Sequence, residues 1–249
     1  MAEPLLSAHG LTRHFGGVLA VDHVSIDLRP GEIHAVIGTN GAGKSTLINL
    51  LAGELAPTSG EVSLSGHALT GAPPHRLASL GVGRTFQRSN VFPDFTAFEN
   101  CRLAAQARNA RPWAVHEKAL RCPTSGEAAR RALAAVGLSR RSDVLAGLLS
   151  HGERRELEIA MCLATEPKVL LLDEPLAGMG AEESQRVLAL LRELKPERAI
   201  LLVEHDMDAV FAIADVITVM ADGAVLAAGL PEAVRADPSV REAYLGDAL

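Results

Sequence analysis

The chain has 249 residues and a mass of 26.2 kDa, with 48% of positions drawn from AVILMFWYC and a mean hydropathy of +0.16. That is enough apolar material for one large domain or two lobes. No apolar run reaches the roughly 18 residues of a membrane span: charge interrupts each one, and the richest stretch, Phe211 to Gly229, carries Asp215 and Asp222. A total of 24 basic against 30 acidic residues, net charge −6, argues against a general nucleic-acid binder. The N-terminus, Met1-Ala2-Glu3-Pro4-Leu5-Leu6, has no basic region and too short an apolar core for a signal peptide, so a soluble, unexported chain is expected. Cys101, Cys122 and Cys162 fall in no metal-ligand spacing and read as reduced thiols.

In chain order, Val24, Ile26 and Leu28 alternate with Ser25, Asp27 and Arg29 as a strand that ends at Pro30-Gly31. Ile33 to Ile37 is a short apolar strand leading into a glycine loop. Leu47, Ile48, Leu50 and Leu51 then carry the spacing of a buried helix face. Val62 and Leu64 alternate with Ser63 and Ser65 after the turn at Pro57 to Gly60. From about Arg88 to Gly147 the composition shifts to Ala, Leu and Arg, with helices expected over Asn100 to Ala107 and Glu127 to Val136 and an irregular connection over Asn109 to Gly126. A helix from Gly152 to Ala164, a buried strand from Val169 to Leu172, a helix from Glu183 to Leu194 and a buried strand from Ala199 to Val203 follow. Alternating helices and buried strands imply a wound α/β core with a parallel sheet.

Gly38, Thr39, Asn40, Gly41, Ala42, Gly43, Lys44, Ser45 and Thr46 fit the phosphate-loop pattern G-x-x-x-x-G-K-[ST] between a strand and a helix. Glycines let backbone N–H groups converge on phosphate oxygens at a helix N-terminus, whose dipole favours anions. In that pattern Lys44 neutralises the β- and γ-phosphates and the Ser45 hydroxyl ligates Mg²⁺. Asp173, at the C-terminal end of an apolar strand, is placed to hold the Mg²⁺ shell, and Glu174 to polarise an attacking water. Leu149-Ser150-His151-Gly152-Glu153 by itself reads as a helix start with a capping box.

The phosphate loop, Gln87, Leu149 to Glu153, Leu172-Asp173-Glu174-Pro175 and His205, in that order, resemble the nucleotide-binding subunit of ATP-binding-cassette (ABC) transporters over nearly the whole chain. The resemblance implies a RecA-like parallel-sheet core with an antiparallel β subdomain and an inserted helical subdomain. The catalytic lobe would span 1–87 and 165–249, and residues 88–164 the helical subdomain with the signature. It implies ATP and Mg²⁺ as ligands, and a head-to-tail dimer in which Ser150, Gly152 and Glu153 of one subunit face the nucleotide of the other. Phe15 would stack on adenine, Gln87 would sense Mg²⁺ and the attacking water, and His205 would contact the γ-phosphate. The sequence departs from the family's usual Leu-Ser-Gly-Gly-Gln at His151 and Glu153, and Gly180 stands where an aspartate usually reaches across the dimer.

Gly83 to Arg88, Val91-Phe92-Pro93, Phe98-Glu99-Asn100, Glu204 to Met207 and Ala243 to Gly246 are similar to the branched-chain amino-acid importers. Urea or amide importers and the lipopolysaccharide exporter share much of this set. The implied partners are a second cassette, identical or paralogous, membrane permeases docking near Gln87 and Phe86 to Phe98, and indirectly a substrate-binding protein, with no nucleic acid. The implied location is the cytoplasmic face of the membrane. Exposed Phe92 or Phe95 would mark the docking groove, whereas four rings packed into the helical lobe would be ordinary core. Arg102, Arg108, Arg111, Arg121, Arg130 and Arg131 read as a solvated face. A DNA-repair ATPase would need long heptad arms, which are missing, and a translation-associated protein normally carries two cassettes, whereas this chain has one phosphate loop.

Overall fold

The computed structural model describes residues 3–86, 90–108 and 123–245. In chain order the elements are β1 (Leu6–Phe15), β2 (Val18–Leu28), β3 (Glu32–Gly38), α1 (Lys44–Leu51), β4 (Ser59–Leu64), β5 (His67–Ala68), α2 (Pro74–Ser79) and β6 (Val82–Arg84). Then come α3 (Ala97–Arg108), α4 (Pro123–Ala135), α5 (His151–Ala164), β7 (Val169–Asp173), α6 (Ala181–Leu194) and β8 (Ala199–Val203). The last are α7 (Met207–Ile213), β9 (Val216–Ala221), β10 (Ala224–Gly229), α8 (Pro231–Ala236) and α9 (Pro238–Leu245). The chain divides into two compact units: Met1–Val82 with Lys168–Glu174 and Leu194–Leu249, and Gly83–Pro167 with Pro175–Glu193.

In the first unit, β2, β1, β4 and β5 form an antiparallel sheet in that order. β3, β8, β9 and β7 lie in a six-stranded sheet ordered β10-β9-β3-β8-β7-β6, with β3 parallel to β8 and β9, and β8 parallel to β7. Every residue of β7 and β8 is buried, as the uninterrupted apolar runs require of strands covered on both faces. The period-two geometry of β3 divides its side chains: Val36 joins the cluster of Leu47, Ile48 and Leu51 from α1 with Leu6, Val24 and Ile26 from the antiparallel sheet. Ala35 and Ile37 join Val210, Ile217, Val219 and Val234 on the other side. Strand pairing thus carries the end of β3 into the phosphate loop between two apolar layers.

The second unit is helical, with α3, α4 and α5 packed on one another. α3 starts at Ala97, before the expected Asn100, because Thr96 and Glu99 form a capping box: the Thr96 N–H donates to Glu99 at 2.9 Å and the Glu99 N–H to the Thr96 hydroxyl at 3.1 Å. The Thr96 N–H, and the Thr96 hydroxyl that donates to the same carboxylate at 2.9 Å, hold the Glu99 carboxyl below its ordinary range. α4 starts at Pro123, inside the stretch expected to be irregular; residues 109–122 of that stretch lie outside the described residues. The solvated arginine face is corrected at Arg102, which is buried. Arg130 lies 5.4 Å from the centroid of the Phe98 ring, while Arg131 makes an exposed ion pair with Glu166.

Candidate functional site

The phosphate loop leaves β3 at Gly38 and enters α1 through Gly43, whose φ of 97° is left-handed. A Cβ on Gly43 would overlap the Ala20 carbonyl oxygen, and one on Gly38 the Met220 carbonyl oxygen, so both positions are restricted to glycine by close backbone approach. Ala42 is buried beneath the loop, while Thr39, Asn40, Gly41 and Ser45 are exposed on it; Gly43 and Thr46 are half-buried. The Lys44 ammonium donates to the carbonyls of Gly38 at 2.7 Å and Thr39 at 2.9 Å. Burial lowers its pKa from the ordinary lysine value, and the carboxylates of Glu174 and Asp173 oppose that shift. The cation is therefore already turned toward the loop's interior.

Strand register brings the acids to this loop. Asp173 on β7 pairs with Val203 on β8, which pairs with Val36 on β3, two positions before Gly38. Asp173 is 2% exposed. Glu174 follows with φ 50°, a left-handed conformation that costs on the order of 1 kcal/mol or more for a residue with a Cβ. The Glu174 N–H donates to the Val203 carbonyl at 2.9 Å, and its Oε1 lies 2.5 Å from His205 Nε2. This backbone turn aims a carboxylate and an imidazole at one place. Phe15, at the end of β1, is 45% exposed with the Arg13 guanidinium 4.8 Å from its ring centroid. Among the described residues no group of three His, Cys, Asp or Glu side chains could cage a metal. The exposed Ser45 hydroxyl and the buried Asp173 carboxylate supply hard oxygen donors, which fit a Mg²⁺ ion that takes its other ligands from water and phosphate.

In the second unit the expected capping box is present at α5. The Glu153 N–H donates to the Ser150 hydroxyl at 3.1 Å, and the Ser150 N–H donates to Glu153 at 2.9 Å. Arg141 donates from Nε to the same carboxylate at 2.7 Å, and this contact, ahead of the Ser150 N–H, holds the Glu153 pKa below the ordinary range. Glu153 is thus committed to fixing the helix start. The His151 ring packs on Gly178, and the Glu183 carboxylate packs on Gly152, so that a Cβ at either glycine would overlap its neighbour.

Gln87 lies outside the described residues. Phe86 before it is held through its carbonyl, which accepts from Arg155 Nη1 at 2.7 Å; Arg155 also pairs with buried Glu158 at 2.6 Å. Phe92 and Phe95 are 54% and 41% exposed with ring centroids 5.5 Å apart, while Phe98 is half-buried. Asn100, fully buried, explains the outward rings: its amide accepts from the Phe92 N–H at 2.8 Å and donates to the carbonyls of Phe92 and Thr96. These contacts use the loop's inner side for backbone hydrogen bonds, leaving both rings outside. Sequence reasoning missed Asn100, Arg155 and Glu183; only Asn100 sat in a quoted motif, and only as a family marker. Among the described residues no helix is long and apolar enough to cross a membrane.

Residues 21–177 match the family described as ABC transporter, and residues 224–249 match the family described as branched-chain amino acid ATP-binding cassette transporter. The chain is 42% identical over 257 aligned residues, covering 100% of both chains, to the high-affinity branched-chain amino acid transport ATP-binding protein LivG of Escherichia coli K12. It is 40% identical, with the same coverage, to the corresponding protein BraF of Pseudomonas aeruginosa. Among solved structures, the ADP conformation of an ATP-binding cassette of an ABC transporter is similar at 30% identity and a TM-score of 0.85, covering 99% of this chain and 100% of that one.

Proposed function

The chain belongs to the ABC transporter family as an ATP-binding subunit, and from that premise we propose that it hydrolyses MgATP to drive import of branched-chain amino acids. The observation that carries the substrate is full-length similarity to LivG and BraF together with the separate match of residues 224–249. The general ATPase reading rests on the phosphate loop and the two acids at the end of β7.

ATP binding begins with the N–H groups of residues 38–46 around the phosphates and the adenine over Phe15, whose exposed ring offers a stacking face. Lys44 exchanges its bonds to the Gly38 and Thr39 carbonyls for phosphate oxygens, which recovers solvation that burial removed. Ser45 and Asp173 would hold the Mg²⁺ ion, with Gln87 the further ligand expected from the sequence; the metal would supply charge neutralisation for the phosphoryl oxygens. Glu174 accepts a proton from the attacking water, and His205, in hydrogen-bond contact with that carboxylate, orients it and reaches the γ-phosphate. The first turn of α5, with Ser150 and Gly152, adds a second helix N-terminus to the phosphate of a partner cassette. Glu153 acts by holding that end in shape. The exposure of Phe92 and Phe95 supports a docking surface for a membrane permease, and with it a location at the cytoplasmic membrane face.

The test is uptake. Cells lacking this chain should lose ATP-dependent accumulation of labelled leucine, isoleucine and valine while urea uptake is unchanged. Undiminished leucine uptake with lost urea uptake overturns the substrate assignment.

A further inference from the structure

Two residues of the α5 end, His151 and Gly152, meet the segment that follows Pro175. His151 rests on Gly178, which has φ 74°, so the ring occupies space that a side chain on that glycine would fill. The Glu183 carboxylate, in the first turn of α6, accepts the Gly180 N–H at 2.9 Å. It also lies face-on to Gly152, such that a Cβ there would overlap Cδ and both oxygens. One anionic group thus caps the start of α6 and sits beside the positive end of α5, whose first-turn N–H groups lack intrahelical partners by helix geometry. The neighbouring carboxylate, Glu153, has its charge offset by Arg141. Glu183 accepts the Gly180 N–H there and also attracts Arg186, one turn along α6, whose own ion pair is made with Glu156, so the Glu183 charge beside Gly152 is shared with that guanidinium and not held by it.

We propose that Glu183 is a positioning residue of the ATP-closed dimer: its carboxylate on Gly152 opposes the arrival of a nucleotide phosphate at the α5 N-terminus, and so sets the ATP concentration at which the dimer closes. The inference rests on the reading above, in which Ser150 and Gly152 meet the phosphate of a partner cassette. Two anions at one helix end repel each other, so closure has to move the carboxylate or tolerate it. Glu183 acts on the phosphate through the α5 end and takes no part in bond breaking.

The experiment measures ATP-driven dimer formation by sedimentation in the hydrolysis-deficient Glu174→Gln protein, with and without Glu183→Gln. Glutamine keeps an oxygen that can accept the Gly180 N–H and removes only the charge. The ATP concentration for half-maximal dimer should fall about two- to fivefold in the double variant, the range of a single charge at a helix end. The difference should shrink at about 1 M salt, where screening reaches about 3 Å, while ADP binding to the monomer is unchanged. Glu183→Ala, which loses the cap as well, should also lower the ATP requirement. An equal or higher requirement in Glu183→Gln overturns the proposal. If the Glu174→Gln parent forms no ATP-dependent dimer either alone or with the second cassette of its transport system, the underlying reading fails and this proposal fails with it.

Discussion

The two helix starts that the mechanism brings to ATP are built by opposite means. At α1 the N-terminus is shaped by backbone: Gly43 is left-handed, no side chain caps the helix, and the first turn holds no acid. At α5 it is shaped by side chains: Ser150 and Glu153 cap each other, Arg141 anchors Glu153, and Glu183 leans on Gly152. The first end has no side-chain cap and a lysine, so taking up an anion requires only that Lys44 exchange its carbonyl partners for phosphate oxygens. The second is already surrounded by carboxylates, so it should bind phosphate weakly alone and only once a partner's ATP is presented. That asymmetry suits a cassette that binds nucleotide as a monomer and closes afterwards.

The comparison breaks most severely at the chemistry. Glu174→Gln should lower the steady-state ATPase rate by about 10² to 10⁴-fold, the range for loss of a positioned base, while ATP affinity in a filter-binding assay stays near that of the parent; parental turnover would remove Glu174 from its role. At the first helix end, Gly43→Val should abolish nucleotide binding measured by calorimetry, because the new side chain meets the Ala20 carbonyl in a left-handed backbone. At the second, Ser150→Ala should cost about 1 kcal/mol in urea-unfolding stability through the lost cap and reduce turnover, yet leave monomer ADP affinity intact. If Ser150→Ala weakens ADP binding as strongly as Gly43→Val, the two ends are not distinct.

A pH dependence sharpens the same contrast, since the first unit carries a buried histidine. His34 is buried in β3, its Nδ1 at 3.2 Å from the Asp27 carbonyl and its Nε2 at 2.8 Å from the Thr218 hydroxyl. A neutral ring satisfies both, donating to the carbonyl and accepting from the hydroxyl. Burial lowers the pKa from 6.5 to about 4. Between these values the unfolded chain binds the proton and the folded chain does not, so stability is full above pH 6.5 and falls toward pH 4. The loss is on the order of 3 kcal/mol at most. His34→Gln should flatten the fall of melting temperature across that window; an unchanged slope would assign it to other groups.

What the sequence made legible was local. The phosphate loop, the strands Val169–Asp173 and Ala199–Val203, and the α5 cap each depend on neighbours a few residues away, so spacing alone exposes them. The left-handed Glu174 was hidden because no residue type announces it, and Glu183 because its contact with Gly152 joins positions far apart in the chain. His34 looked like any strand residue until Thr218, on β9, supplied its partner. The buried Arg102 was misread for a related reason: a count of arginines carries charge but not direction.

The central claim is that each half of the site is completed by a second cassette. Its most direct test is sedimentation of the Glu174→Gln protein, alone and with the second cassette of its transport system, in MgATP and in MgADP. The account predicts a dimer in MgATP, a monomer in MgADP, and loss of the dimer when Ser150→Ala is added. A Glu174→Gln protein that stays monomeric in saturating MgATP under both conditions would contradict it.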